Sequence, residues 1–293
     1  MYYLGFDIGG SSVKAALVKD KKIIKSDIQD LPDDLAGLLD LTGKMFADLT
    51  NEIQPEEIGG VGFAIAGAID ISRETMLHSP NIPYLNNQPV RKLLAEKVAP
   101  HPIKIEHDVY CFLLAEKEIG LAKNLKNVFY LTLGTGIGGA FMLDGKIFSG
   151  SHGAAGEAGH MIVNFQFPIS NFQNNEIYDL EELASNKFIK KNLGVGSIEA
   201  FRRAQAGDEE AIKVFGQLGA NLGLGLANII NIFDPEAIIL SGGICEAKEF
   251  ISPFIKEGID RYVISPAAKE TRVLFSQLGR EAGALGAALM CEN

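Results

Sequence analysis

The sequence predicts an α/β protein built from two similar lobes. The first observation is a pattern of short strands joined by glycine-rich and polar turns, which begins at residue 2 and recurs from residue 128. The second is that later strands alternate with helix-length apolar patterns, as in α/β domains. The third is glycine, which accounts for 32 of 293 residues and for nine of the thirty from 131 to 160. We therefore expect an internal duplication with a ligand between the lobes.

The first half begins with an antiparallel meander. Alternation of apolar and polar residues predicts strands over 2–8, 13–18 and 23–28, and helical spacing follows over 33–50. The further predicted elements of this half are a strand at 58–66, a helix at 88–98, a strand at 103–106 and a helix at 108–119.

The second half repeats this order. A strand at 128–133 is followed by a glycine turn at 134–139 and a strand at 140–143, and Asp144-Gly145 then predicts a hairpin into a strand at 146–149. The remaining predicted elements are helices at 197–206 and 208–232, a strand at 237–241, a helix at 247–260, a strand at 273–276 and a C-terminal helix from about residue 281.

Composition excludes several classes of function. Lys and Arg total 27 against 37 Asp and Glu, a net charge of −10, and the chain has no long basic run. Such a chain is not expected to bind nucleic acid or an anionic membrane surface. The longest uncharged stretch, 214–233, contains three asparagines, a glutamine and four glycines. We interpret it as a buried, closely packed helix rather than a membrane span.

Cysteines and the N-terminus favour the cytoplasm. Cys111, Cys245 and Cys291 are odd in number and have no CxxC spacing, so neither a disulfide framework nor a zinc ribbon is expected. The N-terminus has no basic segment followed by an apolar one, so we expect no signal peptide.

The glycine turns are candidate phosphate sites. Gly134-Thr-Gly-Ile-Gly-Gly139 satisfies G-x-G-x-x-G, but a strand and a hairpin follow where a Rossmann fold needs a helix. No G-x-x-x-x-G-K-[ST] P-loop occurs. Each run is either a plain tight hairpin or a set of bare amides that bind an anion, and its recurrence favours the second interpretation. Asp7, before the first turn, is either a turn cap or a partner for a metal ion that shields phosphates.

Four segments carry a family resemblance. They are Asp7-Ile-Gly-Gly-Ser-Ser-Val-Lys14, Leu131-Thr-Leu-Gly-Thr-Gly-Ile-Gly-Gly139, Gly153-Ala-Ala-Gly-Glu-Ala-Gly-His160 and Asn228-Ile-Ile-Asn-Ile-Phe-Asp-Pro-Glu-Ala-Ile-Ile-Leu-Ser-Gly-Gly243. In this order they resemble the ROK family of bacterial sugar kinases and repressors. The resemblance implies the two-lobed actin-like ATPase (ribonuclease H-like) fold, with duplicated βββαβαβα lobes and a cleft between them. The expected lobes are 1–115, completed by the helix at 281–293, and 116–280.

The resemblance also implies site residues. Asp108 is the implied base that accepts the proton of the attacking hydroxyl; from the residues alone, an N-cap is the alternative. Asp7 is the implied partner of Mg²⁺, directly or through water. The implied sugar-binding residues are Gly67, Asn81, His107, Asp108, Glu157, His160 and Glu181. The implied ATP- and phosphate-binding residues are Asp7, Gly9, Gly10, Ser11, Ser12, Lys14, Gly134, Thr135, Gly136, Gly138, Gly242 and Gly243.

Two departures from the family pattern matter. Many relatives hold zinc through the histidine that matches His160 and three following cysteines, but no cysteine lies between His160 and Asp179. We therefore predict no structural zinc, with loop 163–178 ordered by packing or by an oligomer contact. Relatives usually have asparagine where His107 stands. Histidine is bulkier and titrates near pH 6.5, so the usual hexose preference is in question.

The expected activity is ATP-dependent phosphorylation of a sugar. Transfer to the 6-hydroxyl of a hexose or N-acetylhexosamine is the leading hypothesis, with ATP and Mg²⁺ as cofactors and a homodimer as the expected assembly. The alternatives are a kinase for fructose or a β-glucoside, or a catalytically impaired sugar sensor. A DNA-binding repressor is disfavoured because the phosphate motif begins at Asp7 and leaves no room for a preceding helix-turn-helix. An ATPase with protein partners does not explain Glu157, His160 and Glu181.

Overall fold

The protein is an α/β structure, as the sequence predicts. A computed structural model describes residues 1–166 and 176–292. The helices of these residues are α1 (Leu35–Thr50), α2 (Val90–Val98), α3 (Asp108–Ile119), α4 (Leu180–Ala184), α5 (Asn186–Leu193), α6 (Ser197–Gln205), α7 (Glu209–Phe233), α8 (Lys248–Tyr262) and α9 (Ala282–Glu292). The strands are β1 (Tyr2–Ile8), β2 (Ser12–Lys19), β3 (Lys22–Asp30), β4 (Ile58–Ile65), β5 (Ala68–Ile69), β6 (Met76–His78), β7 (Ile103–His107), β8 (Val128–Leu133), β9 (Ile137–Leu143), β10 (Lys146–Ile147), β11 (Ile162–Gln166), β12 (Glu176–Asp179), β13 (Ala237–Ser241) and β14 (Arg272–Phe275).

Two five-stranded sheets share one topology. The first has the order β3-β2-β1-β4-β7, and the second β10-β9-β8-β13-β14. In the first sheet, β1 pairs antiparallel with β2 and parallel with β4. In the second, β8 pairs antiparallel with β9 and parallel with β13. The predicted duplication is therefore present as two meanders, each extended by two parallel strands.

The chain divides into two compact units. Unit 1 comprises Met1–Asn124, Ile147–Ala155 and the C-terminal segment from Gln277, and unit 2 comprises Leu125–Lys146 and Gly156–Ser276. The core of unit 1 lies between its sheet and α1 and α2, and α9 packs against β1, β4 and α3. The core of unit 2 is formed by β8, β13 and the helices around α7.

The uncharged stretch 214–233 is the greater part of α7, and its apolar residues are largely buried in the core of unit 2. This agrees with the predicted buried helix. Within residues 1–166 and 176–292, no helix combines the length and the apolarity that crossing a bilayer requires.

The structure differs from the predicted elements at the second glycine turn and in several short elements. Strand β9 begins at Ile137, because Gly138 and Gly139 pair with Thr132 and Leu131 of β8. The glycine turn is therefore shorter than the predicted 134–139. The sequence patterns also missed the short hairpins β5–β6 and β11–β12 and the helices α4 and α5, all of which are brief or lack a long periodic pattern.

Candidate functional site

The first glycine turn joins β1 to β2 in unit 1. The Gly9 amide donates to the Ser12 carbonyl (3.0 Å), which closes the turn. Asp7 faces Lys14 across the two strands, and the Lys14 ammonium lies 2.7 Å from Asp7 Oδ2. The Asp7 side chain is 2% exposed. Burial raises the pKa of the Asp7 carboxyl, while the charge and hydrogen bond of Lys14 act in the opposite direction.

The segment after β4 approaches this turn. The Ser79 hydroxyl donates to the Ala66 carbonyl (2.7 Å) and fixes the chain on either side of the β5–β6 hairpin. Asn81 lies against the turn, since a Cβ added to Gly10 would be 2.6 Å from Asn81 Cβ. Gly67 has φ +131° and a Cβ there would lie 2.6 Å from the His78 carbonyl oxygen, so the position requires glycine.

The end of β7 and the start of α3 place two predicted site residues. His107 is buried, and its Nδ1 lies 2.8 Å from the Gly67 carbonyl. A carbonyl only accepts hydrogen bonds, so Nδ1 carries the proton in this contact. Asp108 is the first residue of α3, with His107 at the cap position, and Asp108 Oδ1 accepts the Val109 amide (2.9 Å). The alternative interpretation of Asp108 as the N-cap is therefore not what the structure shows.

An ion pair beside His107 was missed by the sequence analysis. The Arg73 guanidinium lies 2.8 Å from Glu106 Oε1, and the same oxygen accepts the His107 amide (3.0 Å). Arg73 Nη1 also donates to the Asp70 carbonyl (3.1 Å). Arg73 and Glu106 are 33 residues apart, and nothing in the local pattern around either residue indicates the pairing.

The second glycine turn lies in unit 2, between β8 and β9. The Gly134 amide donates to the Gly136 carbonyl (2.9 Å), and Thr135 at the tip is exposed. Glu181, in the first turn of α4, accepts the Ile137 amide through Oε2 (2.8 Å). A Cβ on Gly136 would collide with Glu181 Oε2, so this glycine lets the carboxylate rest on the turn.

Glu181 also binds a lysine that the sequence analysis did not single out. Lys187, in α5, places its ammonium 2.6 Å from Glu181 Oε1. Both carboxylate oxygens of Glu181 therefore have protein donors. Hydrogen bonding to Glu181 raises the pKa of the Lys187 ammonium, and burial acts against that rise.

Glu157 precedes a short 3-10 turn, Ala158–His160, which ends with His160 and packs against β9. Both side chains are exposed. His160 Nδ1 lies 3.1 Å from Asp179 Oδ2, and this hydrogen bond is the main cause of a raised pKa for His160. Asp179 also accepts the Glu182 amide and so caps α4. One carboxylate thereby links the predicted sugar loop to the helix that carries Glu181.

The third glycine pair follows β13. Gly242 has φ +93° and is exposed with Gly243 at the start of the short helix Gly243–Ala247. Tyr130 donates to the Ser241 hydroxyl (2.6 Å), which ties the end of β13 to β8. Gly242 and Gly243 therefore follow directly on a strand end that is held in place by the neighbouring strand.

The structure groups the predicted residues within each unit. Unit 1 holds Asp7, Gly9, Gly10, Ser11, Ser12, Lys14, Gly67, Asn81, His107 and Asp108. Unit 2 holds Gly134, Thr135, Gly136, Gly138, Glu157, His160, Glu181, Gly242 and Gly243. Across 1–166 and 176–292, no three His, Cys, Asp or Glu side chains are grouped to hold a metal ion. The absence of zinc stays a prediction, and residues 167–175 of loop 163–178 lie outside the described part.

Comparisons with known proteins find relatives that match this chain over nearly its full length. A glucokinase of Thermotoga maritima is 29% identical, over 97% of this chain and 95% of that protein. An N-acetyl-D-glucosamine kinase of Vibrio atlanticus is 28% identical, over 99% of each chain. The crystal structure of a ROK family glucokinase from Streptomyces griseus, in complex with glucose and AMPPNP, superposes with a TM-score of 0.84 at 25% identity and covers 99% of each chain.

These similarities match the fold described above, which is the actin-like ATPase fold. The ROK family model matches residues 3–293. Because the match spans nearly the whole chain and includes every glycine turn, this protein belongs to the ROK family.

Proposed function

We propose that this protein, a sugar kinase of the ROK type, transfers the γ-phosphoryl group of ATP to the 6-hydroxyl of a hexose or N-acetylhexosamine. The observation that carries the proposal is the β7–α3 junction, where Asp108 opens a helix directly after the buried His107. A carboxylate fixed at the junction of a strand and a helix suits a positioned base. The relatives named above support a sugar as acceptor and ATP as donor.

In the proposed reaction, Asp108 accepts the proton of the attacking hydroxyl as the oxygen–phosphorus bond forms and the bond to the β-phosphate oxygen breaks. The hydrogen bond from the Val109 amide to Oδ1 orients the carboxylate. His107 donates from Nδ1 to the Gly67 carbonyl and its Nε2 is buried, so His107 is proposed to act on the sugar site by fixing the Gly67 backbone. Asn81, Gly67, Glu157, His160 and Glu181 are the other proposed sugar contacts.

The phosphate groups are proposed to meet backbone amides. The proposed phosphate sites are the turns at Gly9–Ser12 and Gly134–Gly136, where the Gly9 and Gly134 amides close the turns and the remaining amides are next to glycines, because successive amides in such turns stabilise anions. Lys14 adds one positive charge to the first turn, balanced by Asp7. Gly242 and Gly243 are proposed to border the nucleoside.

Asp7 fits a role beside Mg²⁺. Magnesium bound to a nucleotide takes most of its ligands from phosphates and water and needs one or two protein carboxylates. Asp7 supplies one carboxylate at the end of β1, where its counter-charge is the Lys14 ammonium, and it would reach the ion directly or through water. When bound, the ion would neutralise charge on the transferring phosphoryl group. Mg²⁺, a homodimer and a cytoplasmic location stay proposals.

The test is ADP release by the purified chain over a panel of glucose, N-acetylmannosamine, N-acetylglucosamine, fructose and a β-glucoside. Asp108→Asn should lower kcat at least about 100-fold, as loss of a positioned base does, with sugar binding retained. Asp34→Asn is the matched control. Asp34 caps α1 through the Gly37 amide, and asparagine caps equally well. Turnover near wild type in Asp108→Asn would rule out this base.

A further inference from the structure

Glu181 is held on both carboxylate oxygens within unit 2. Oε2 accepts the Ile137 amide at 2.8 Å, and Oε1 lies 2.6 Å from the Lys187 ammonium. The Glu181 side chain is 16% exposed. Two donors therefore fix one orientation of a carboxylate that is still reachable from solvent.

Lys187 is fixed from the backbone side as well. Its amide donates to the Ser185 hydroxyl (3.1 Å), and the preceding Asn186 amide donates to the Gly134 carbonyl (2.9 Å). The start of α5 is thereby attached to the glycine turn. The Lys187 side chain is 57% exposed. An ammonium has three protons, and among residues 1–166 and 176–292 only Glu181 accepts one.

We propose that Lys187 and Glu181 together form a specificity determinant, which recognises a free hydroxyl of the sugar and disfavours an acetamido group at the same ring position. The inference rests on the proposed function, which places a sugar against Glu181. It assigns a role in sugar binding to Lys187, an exposed residue near the start of α5 that the sequence does not mark as a site residue.

The reason is the spacing of donor and acceptor. Lys187 Nζ and Glu181 Oε1 are 2.6 Å apart, so one hydroxyl oxygen can donate to the carboxylate and accept from the ammonium. The N–H and C=O of a trans amide point in opposite directions. An acetamido group can therefore form a hydrogen bond with either Lys187 or Glu181, but not with both. The other side chain then loses its water without gaining a new partner, and binding sites discriminate strongly against ligands that leave a polar group unpaired in this way.

The experiment uses the full chain as wild type, Lys187→Met and Lys190→Met, the last an exposed lysine on the same helix. The ligands are a hexose that wild type phosphorylates, its monodeoxy analogues and its N-acetylamino counterparts. Steady-state kinetics give kcat and KM, and calorimetry gives Kd. Lys187→Met should raise KM and Kd for the hexose about tenfold, as the loss of a hydrogen bond from a charged donor does, with kcat within about twofold.

The deoxy analogues identify the mechanism. The effect of Lys187→Met should vanish for the one analogue that lacks the recognised hydroxyl. Preference for the N-acetyl sugar over the hexose should rise in the same variant. Lys187→Arg should retain most of the affinity, and Lys190→Met should match wild type.

Two results would overturn the inference alone: an unchanged KM and Kd in Lys187→Met, or a loss of equal size on every deoxy analogue. A wild-type protein that binds no sugar would instead overturn the proposed function, and the inference with it. If the wild-type protein binds a sugar but does not turn it over, the Kd values from calorimetry still test the role of Lys187.

Discussion

The two units differ in how deeply several of their titratable candidate site residues are buried. In unit 1, Asp7 and His107 are buried and each is fixed by protein partners. In unit 2, Glu157, His160 and Lys187 are exposed. Both units contain a lysine–carboxylate pair next to a glycine turn, at 2.7 Å in one and 2.6 Å in the other. Similar distances therefore conceal different surroundings, so the loss of each lysine is expected to cost a different free energy.

The largest difference is expected from removing each lysine. Lys14→Met leaves the buried Asp7 carboxylate without its counter-charge and should lower the free energy of unfolding by about 3 kcal/mol or more. Lys187→Met breaks a pair that water already screens and should cost under about 1 kcal/mol. The chain has no tryptophan, so circular dichroism in a denaturant series is the suitable measurement.

The sign of the pH dependence checks this explanation. Burial raises the pKa of folded Asp7 above 3.8, so protonation favours the folded state, and its contribution is lost as pH rises through the raised pKa. The difference in free energy of unfolding between wild type and Lys14→Met should therefore be smaller at acidic pH. Asp7→Asn combined with Lys14→Met should recover most of the stability. Equal losses for the two lysine variants would contradict the comparison.

The sequence predicts much of this arrangement in unit 1. Strand alternation and the Gly9-Gly10 turn place Asp7 at a strand end, and the predicted helix at 108–119 coincides with α3. The strand predicted at 237–241 in unit 2 is also confirmed as β13. Long helices and strongly alternating strands can be predicted from the sequence because their hydrophobic periodicity depends only on neighbouring residues.

What the sequence cannot predict are pairings between short elements. Arg73 reaches Glu106 from a hairpin of two- and three-residue strands, and Lys187 reaches Glu181 across the junction of α4 and α5. Neither pair lies at a spacing that local patterns reveal. The turn that begins at Gly134 ends early because Gly138 and Gly139 join the ladder of β9, where tertiary pairing outweighs the weak strand propensity of glycine.

The second prediction compares one glycine from each unit. Gly67→Ala puts a side chain at φ +131° against the His78 carbonyl and should cost about 2 kcal/mol or more. It should also displace the carbonyl that accepts from His107 and reduce kcat. Gly134→Ala meets nothing within 4 Å, so stability should stay within about 0.5 kcal/mol. Thermal melts of both variants measure this, and a tolerated Gly67→Ala would mean that the hairpin adapts.

The third prediction concerns the ion pair that positions His107. Arg73→Met should remove the guanidinium from Glu106, whose Oε1 also accepts the His107 amide, and lower kcat several-fold with a loss of about 1 kcal/mol in stability. Arg73→Lys keeps the charge and should recover part of kcat. Arg202→Met is the control, because its pair with Glu199 is exposed and 3.6 Å long. Unchanged kcat in Arg73→Met would restrict the pair to a structural role.

The smallest effect is expected at His160 in unit 2. The hydrogen bond to Asp179 raises the pKa of His160 above 6.5, and the charges of Glu181, Asp179 and Glu157 add to the rise. The pair should therefore contribute its stability below pH 6.5 and lose it as pH rises through the raised pKa. The contribution should be slight, because the His160 side chain is 64% exposed. Asp179→Asn still caps α4 but removes the charge, so an NMR titration of His160 should show a lower pKa, with a remainder from Glu181 and Glu157. Asp144→Asn, an exposed acid of the same unit, should leave the titration unchanged, and an unaltered pKa in Asp179→Asn would show that water already screens the pair in full.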